Sequence, residues 1–233
     1  MERKEIINEL KNMSDNNYKE FHSGLCPGTN NILGIKVPLL RKYAKQLAKE
    51  EGQDILNVLK DEYYEEIMLQ GMLIGILKLD LETRLNYLER FIPKIDNWAV
   101  CDITCAGLKF TEKSKEKVWD FLQKYLNSSK EFEVRFGIVM LLDYYITDEY
   151  IDRVIKILNN TICNKYYIRM AVAWTISVLY VNYPSTTLEF LKSKENKLDN
   201  ETYNKALQKI IESNRVSKKE KNTIRNLKRR NVN

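Results

Sequence analysis

Trp98, Asp102, Cys105 and Lys109 recur at helical spacing within the run from Asn97 to Phe110, NWAVCDITCAGLKF. A second set, Ala99, Ile103, Ala106 and Phe110, falls at i, i+4, i+7 and i+11 about a quarter turn away. That set reads as the apolar stripe by which a helix faces a core. The first stripe combines a large π face, a carboxylate and a cation, a mixture that packing alone does not ask for. A carboxylate beside an indole face stabilises positive charge, through a Coulomb term and through cation–π attraction worth about 0.5–2 kcal/mol per face. Asp is also a poor helix former and costly to bury without a partner, so Asp102 requires a cation, and Arg135 is the candidate. The plainer reading of Trp98 is that Asn97-Trp98 marks a helix start. Trp119 is assigned to packing.

These side chains need helices to hold them. With 233 residues, 44% hydrophobic and 30% charged, the chain can bury a full core. Eight Gly and four Pro leave little turn material for an all-β fold, and the wealth of Leu, Ile, Lys and Glu predicts an all-α protein. Five apolar-rich segments recur: EEIMLQGML from Glu65, NWAVCDITC from Asn97, FEVRFGIVM from Phe132, YYIRMAVAW from Tyr166 and TYNKALQKI from Thr202. Their starts lie 32, 35, 34 and 36 residues apart. Amphipathic stretches over 82–91, 113–126 and 149–158 precede three of them. This predicts a HEAT-like helical-repeat solenoid of antiparallel helix pairs with a concave face, in which neighbouring units bury one another's apolar sides. The second helices are expected near 65–77, 97–110, 132–146, 166–182 and 202–213, in one domain spanning 1–233 whose last part, 214–233, is a basic segment.

In the nine-residue frame of these segments, positions 2, 6 and 9 share a helical face. Trp98 and Asp102 take positions 2 and 6 of the second unit, Gly137 takes position 6 of the third, and Trp174 takes position 9 of the fourth. Packed helices lie about 8–10 Å apart, so helices two units apart are roughly 16–20 Å apart, leaving a gap on the order of 7 Å between two indoles. Such a gap admits a flat ring or a sugar, with Gly137 leaving the floor open and Asp102 at the wall. Arg135 has a second reading, because the V-R-x-x-x-x-x-L pattern from Val134 resembles the second helix of a HEAT repeat. In such repeats this arginine ties one unit to the next. Arg169 occupies the same place one repeat on.

The net charge of +6 is located as well as counted. Seven cations and one anion lie between Lys218 and Arg230, which accounts for all of it. That segment, with Lys218 and Lys219 at its head, is either a phosphate clamp or a solvated tail. Pro38 suits the first turn of a helix continuing to about Glu50, which places Lys36 and Arg41 near its positive end, as a phosphate site or as ordinary surface cations. No apolar run approaches the roughly 18 residues of a membrane span, and the N-terminus is charged and amphipathic. A soluble, cytoplasmic protein is expected. Cys26, Cys101, Cys105 and Cys163 form no C-x-x-C pair, and His22 has no ligand-like neighbours. Buried free thiols are expected, and no metal site.

From Leu33-Gly34-Ile35-x-x-Pro38-x-x-Arg41, through Asn97-Trp98-x-x-x-Asp102 and Val134-Arg135, to Ala171-Val172-Ala173-Trp174, the sequence resembles the AlkD-type DNA alkylation repair glycosylases, built of HEAT-like repeats. The resemblance implies base excision repair: hydrolytic removal of purines alkylated at N3 or N7 from duplex DNA. Trp98 and Trp174 would surround the deoxyribose of the lesion, and Asp102 would lie beside C1′. Arg135 would hold Asp102 and approach the backbone, and no base would be flipped into a pocket, unlike most base-excising enzymes. No cofactor is implied. The implied partner is double-stranded DNA, bound by a monomer associated with the nucleoid. One departure is Lys36, where the family has Gln beside the minor groove.

Two other classes remain open on the sequence. A noncatalytic reader of distorted duplex would use the same basic surface but has no need of a carboxylate, which repels phosphate. A protein–protein scaffold, the commonest role of helical repeats, would show no salt-dependent DNA affinity. The DNA readings require Lys36, Arg41, Lys109 and Arg169 to be gathered on one face, since residues 1–217 are formally neutral.

Overall fold

The structure, a computed structural model, describes residues 1–230. Among the described residues there are fourteen α-helices, three 3-10 turns and no strand. The protein has the all-α, helical-repeat fold expected of it. The chain divides into two compact units, Met1–Phe121 and Leu122–Asn233.

The first unit opens with α1 (Arg3–Asn12), α2 (Asn16–Leu25), α3 (Val37–Glu50) and the short α4 (Ile55–Val58). It continues with α5 (Tyr64–Ile76), α6 (Leu81–Phe91) and α7 (Trp98–Gly107), and the boundary falls within α8 (Lys115–Leu126). Local chemistry sets these starts. The side chains of Asp15, Asp80 and Asn97 accept the backbone N–H of Tyr18, Thr83 and Val100, satisfying donors that helix starts otherwise leave open. Pro38 stands in the first turn of α3, which runs to Glu50 as expected.

The centre of this unit is α5, which packs on α3, α6 and α7 and is buried nearly all round. Gly75 lets α7 come close, since a methyl group there would lie 2.6 Å from the carbonyl oxygen of Gly107. Gly71, one turn earlier, faces Thr104 in the same way. Buried Arg84 closes the far end of α5 by donating to the carbonyls of Ile74 and, at 2.7 Å, Leu77. These are carbonyls that a helix end leaves without partners.

The second unit contains α9 (Glu131–Tyr144), α10 (Ile151–Asn160), α11 (Tyr166–Asn182), α12 (Pro184–Lys192), α13 (Asn200–Glu212) and α14 (Lys218–Arg225). Its axis is α11, which packs on α9, α12 and α13. α10 buries Ile151, Val154 and Leu158 at i, i+3 and i+7, the stripe its amphipathic sequence announces. Gly137 does not open a floor. It is buried, and a methyl group there would lie 2.8 Å from the Leu126 side chain, so its smallness serves packing against the last turn of α8.

The basic segment folds. Ser217 and Glu220 form a capping box at the start of α14, Ile224 is fully buried, and α14 packs on α13. Beyond it the Arg229 guanidinium lies 3.7 Å from the centre of the Tyr203 ring and donates to the Leu198 carbonyl at 2.7 Å. Arg229 thus latches the segment onto α13. The last three residues of the expected 214–233 segment lie outside the described residues.

Candidate functional site

The Asn97 cap fixes where α7 begins, and therefore which way its first turn points. Trp98 and Asp102 stand one turn apart on it, both half-buried. The side of α7 facing the core differs from the predicted stripe. Val100, Cys101, Thr104, Cys105 and Leu108 are buried, whereas Ile103 is half-buried and Ala106 exposed. Gly71 and Gly75 bring α5 against Thr104 and Gly107, which turns this side of α7 inward, and of the predicted stripe only Ala99 is buried. Cys105, placed on the chemical stripe by spacing, is consequently in the core.

The helix also ends earlier than expected, at Gly107, and Leu108 (φ −84°, ψ 48°) turns the chain into a 3-10 turn, Lys109–Lys113. Lys109 is exposed on that turn and is not part of the α7 stripe. Phe110 is also off the helix, with the Arg84 guanidinium 4.8 Å from its ring centre.

The indole of Trp98 is held. Its Nε1–H donates to the carbonyl of Leu25, the last residue of α2, at 2.9 Å. Behind this end of α2 lies a buried cluster in which the His22 ring nitrogen Nε2 is 2.7 Å from the Tyr64 hydroxyl and 3.6 Å from the Cys26 sulfur. Burial pushes the Cys26 thiol up to about 11 and lowers the His22 pKa, so both are neutral near pH 7. All four cysteines are free and buried, as expected from their spacing.

The loop before α3 is set by a group that the sequence did not single out. Glu65, 1% exposed, accepts the backbone N–H of Leu33 at 2.8 Å, Gly34 at 2.7 Å and Ile35 at 3.1 Å. Gly34 has φ +90°, and a methyl group there would lie 2.5 Å from the Asp15 carbonyl oxygen, so the position requires glycine. This loop delivers Lys36, the N-cap of α3, whose ammonium lies 3.4 Å from the Asp15 carboxylate. Arg41 is exposed on α3.

In the second unit Arg135 is buried, and its Nη1 donates to the Tyr167 carbonyl at 3.0 Å. The tie between neighbouring repeats, one of its two readings, is therefore present. Arg169 is similarly engaged, with Glu201 at 2.8 Å and the Cys163 carbonyl at 3.1 Å. Trp174 is half-buried and belongs to a stripe of partly exposed side chains, Tyr167, Met170, Trp174, Val178 and Val181, that runs along α11. Position 9 of the repeat frame does not mark one exposed face, because Cys105 and Met140 are fully buried where Trp174 is not. Lys218 and Lys219 are exposed on α14.

The structure adds residues that the spacing argument missed: the Leu25 carbonyl, Glu65, and the cations Lys209 and Arg215 beside Trp174. Of these, Glu65 appears in the sequence as the first residue of an apolar-rich segment, a place where acidic residues are common at helix starts. No helix is long and apolar enough to cross a membrane among the described residues. No curated protein matches the chain. Residues 6–210 match the model of the DNA alkylation repair enzyme family, a span that takes in α7, the Glu65-held loop, Arg135 and Trp174. On that match, which covers most of the length of both units, the chain belongs to the DNA alkylation repair enzyme family.

Proposed function

We propose that the protein is a DNA glycosylase that excises purines made cationic by alkylation at N3 or N7 from duplex DNA. The observation that carries this reading is the pair Trp98 and Asp102, one turn apart and half-buried on a helix whose opposite side is core, in a chain of the alkylation repair family. An alkylated purine is already a good leaving group and needs no general acid. As the C1′–N bond breaks, its electron pair leaves with the purine and neutralises the ring, while positive charge grows on C1′ and the ring oxygen of the sugar. The Asp102 carboxylate and the indole of Trp98 stabilise that charge. Water, oriented by Asp102, then attacks C1′ and passes its proton to solvent, leaving an abasic sugar and the free neutral purine. The base stays in the stack, and DNA is bound through Lys36, Arg41, Lys109, Lys218 and Lys219.

The hydrogen bond from Trp98 to Leu25 supports this assignment, since it fixes the indole plane and leaves its π face for a cation. Duplex DNA carrying 7-methylguanine, incubated with the protein, is expected to release the base. Release is expected to fall at least about tenfold in Asp102→Asn, a loss of roughly 1.4 kcal/mol of transition-state stabilisation. Hypoxanthine, a neutral base, is expected to stay in place. Asp102-dependent excision of hypoxanthine would overturn the division of labour. Absence of release with salt-dependent binding retained would assign a noncatalytic reader of DNA structure, and absence of both would assign a protein scaffold.

A further inference from the structure

Trp174 borders a groove of about 340 Å³ between the second half of α11 and the end of α13. Its α11 wall is Trp174, Ser177, Val178 and Val181, and its other wall carries Lys209, Glu212, Ser213 and Arg215. The two cations differ from their neighbours. Arg169 is committed to Glu201 and Arg229 to Leu198 and Tyr203, whereas no hydrogen bond or ion pair holds the side chain of Lys209 or Arg215 among the described residues. Glu212 also lines the groove, and its carboxylate accepts from Gln208 at 3.1 Å. The groove therefore has one net positive charge, an indole and two valines for an apolar surface, and a volume within the range of small-ligand sites.

We propose that this groove seats one nucleotide of the DNA strand next to the lesion, with its sugar against Trp174, Val178 and Val181 and its phosphate between Lys209 and Arg215. The inference rests on the glycosylase reading and extends it to residues outside the candidate catalytic set. A phosphodiester carries one negative charge and so complements the groove. Phosphate contacts position a duplex without reading its sequence, so the groove sets register and leaves base identity to the reacting site. Lys209 lies within the family match, which ends at residue 210, and Arg215 lies beyond it.

The test measures binding of undamaged duplex by fluorescence anisotropy between 50 and 200 mM salt, for the wild type, Lys209→Ala/Arg215→Ala and Glu212→Gln. Losing one phosphate contact lowers the slope of log affinity against log salt by about 1. The double variant is expected to show that loss while keeping the wild-type melting temperature. Glu212→Gln is expected to bind more tightly, a gain that misfolding cannot produce. A double variant with the wild-type slope, beside a wild type that binds and excises, overturns the groove and leaves the glycosylase reading standing. A wild type with neither salt-dependent binding nor base release overturns that reading and the groove with it.

Discussion

His22 shows how one buried side chain couples the candidate site to pH. Its ring is 6% exposed, stacked on Tyr18 and bonded to Tyr64, and burial lowers its pKa from the ordinary 6.5. The unfolded chain therefore binds a proton at pH values where the folded chain does not. The stabilisation is present in full above the unfolded pKa and is lost as pH falls through the folded one. Melting temperature should drop between pH 7.5 and pH 5, and the drop should be shallower in His22→Gln, since carboxylates contribute to both proteins alike. An equal pH dependence in the two would show that His22 is not held neutral. The same cluster backs the end of α2 that holds Trp98, so loss of His22 packing reaches the site through the Leu25 carbonyl.

Between α5 and α7 the close approach depends on two glycines of α5, Gly71 and Gly75. The obstacle to a larger residue at Gly75 is the backbone of Gly107, which cannot move as a flexible side chain does. Gly75→Ala should therefore cost about 1–3 kcal/mol, the range for overpacking. Because α7 carries Trp98 and Asp102, it should also reduce base release. Gly107→Ala is the control, since a methyl group there meets nothing within 4 Å. Urea unfolding with parallel release assays separates the two, and a Gly75→Ala protein as stable and active as wild type would show that the helices part without consequence.

For the whole molecule the question is where the charge sits. The entire net charge of +6 resides between Lys218 and Arg230, and this segment is built into the second unit by Ile224 and Arg229. Truncation after Ser217 would remove that buried residue and the latch together with the cations, so it confounds stability with binding. Lys218→Ala/Lys219→Ala removes exposed charge alone. It should lower the salt slope of DNA binding by about 2 if each lysine meets a phosphate, with the melting temperature unchanged. An unchanged slope would assign α14 to capping α13 and remove it from the DNA surface.

The helical-repeat class, the second helices at 64–76, 131–144, 166–182 and 200–212, and the Asn97 start of α7 were legible in the sequence. Apolar periodicity and caps are local properties, written within a dozen residues, and repeat spacing is read along the chain without knowing what packs on what. The same holds for Trp98 and Asp102 as a pair, since one helical turn joins them. Which side of α7 turns inward was not legible, because glycines some thirty residues earlier on α5 decide it. Nor were the Glu65 clasp, the Trp98 bond to Leu25 or the Lys209–Arg215 groove, each of which depends on segments that meet only once their helices pack. Spacing along a chain fixes angle around one helix, while the partner across a helix pair is set by interhelical contact, and only the tertiary structure contains that.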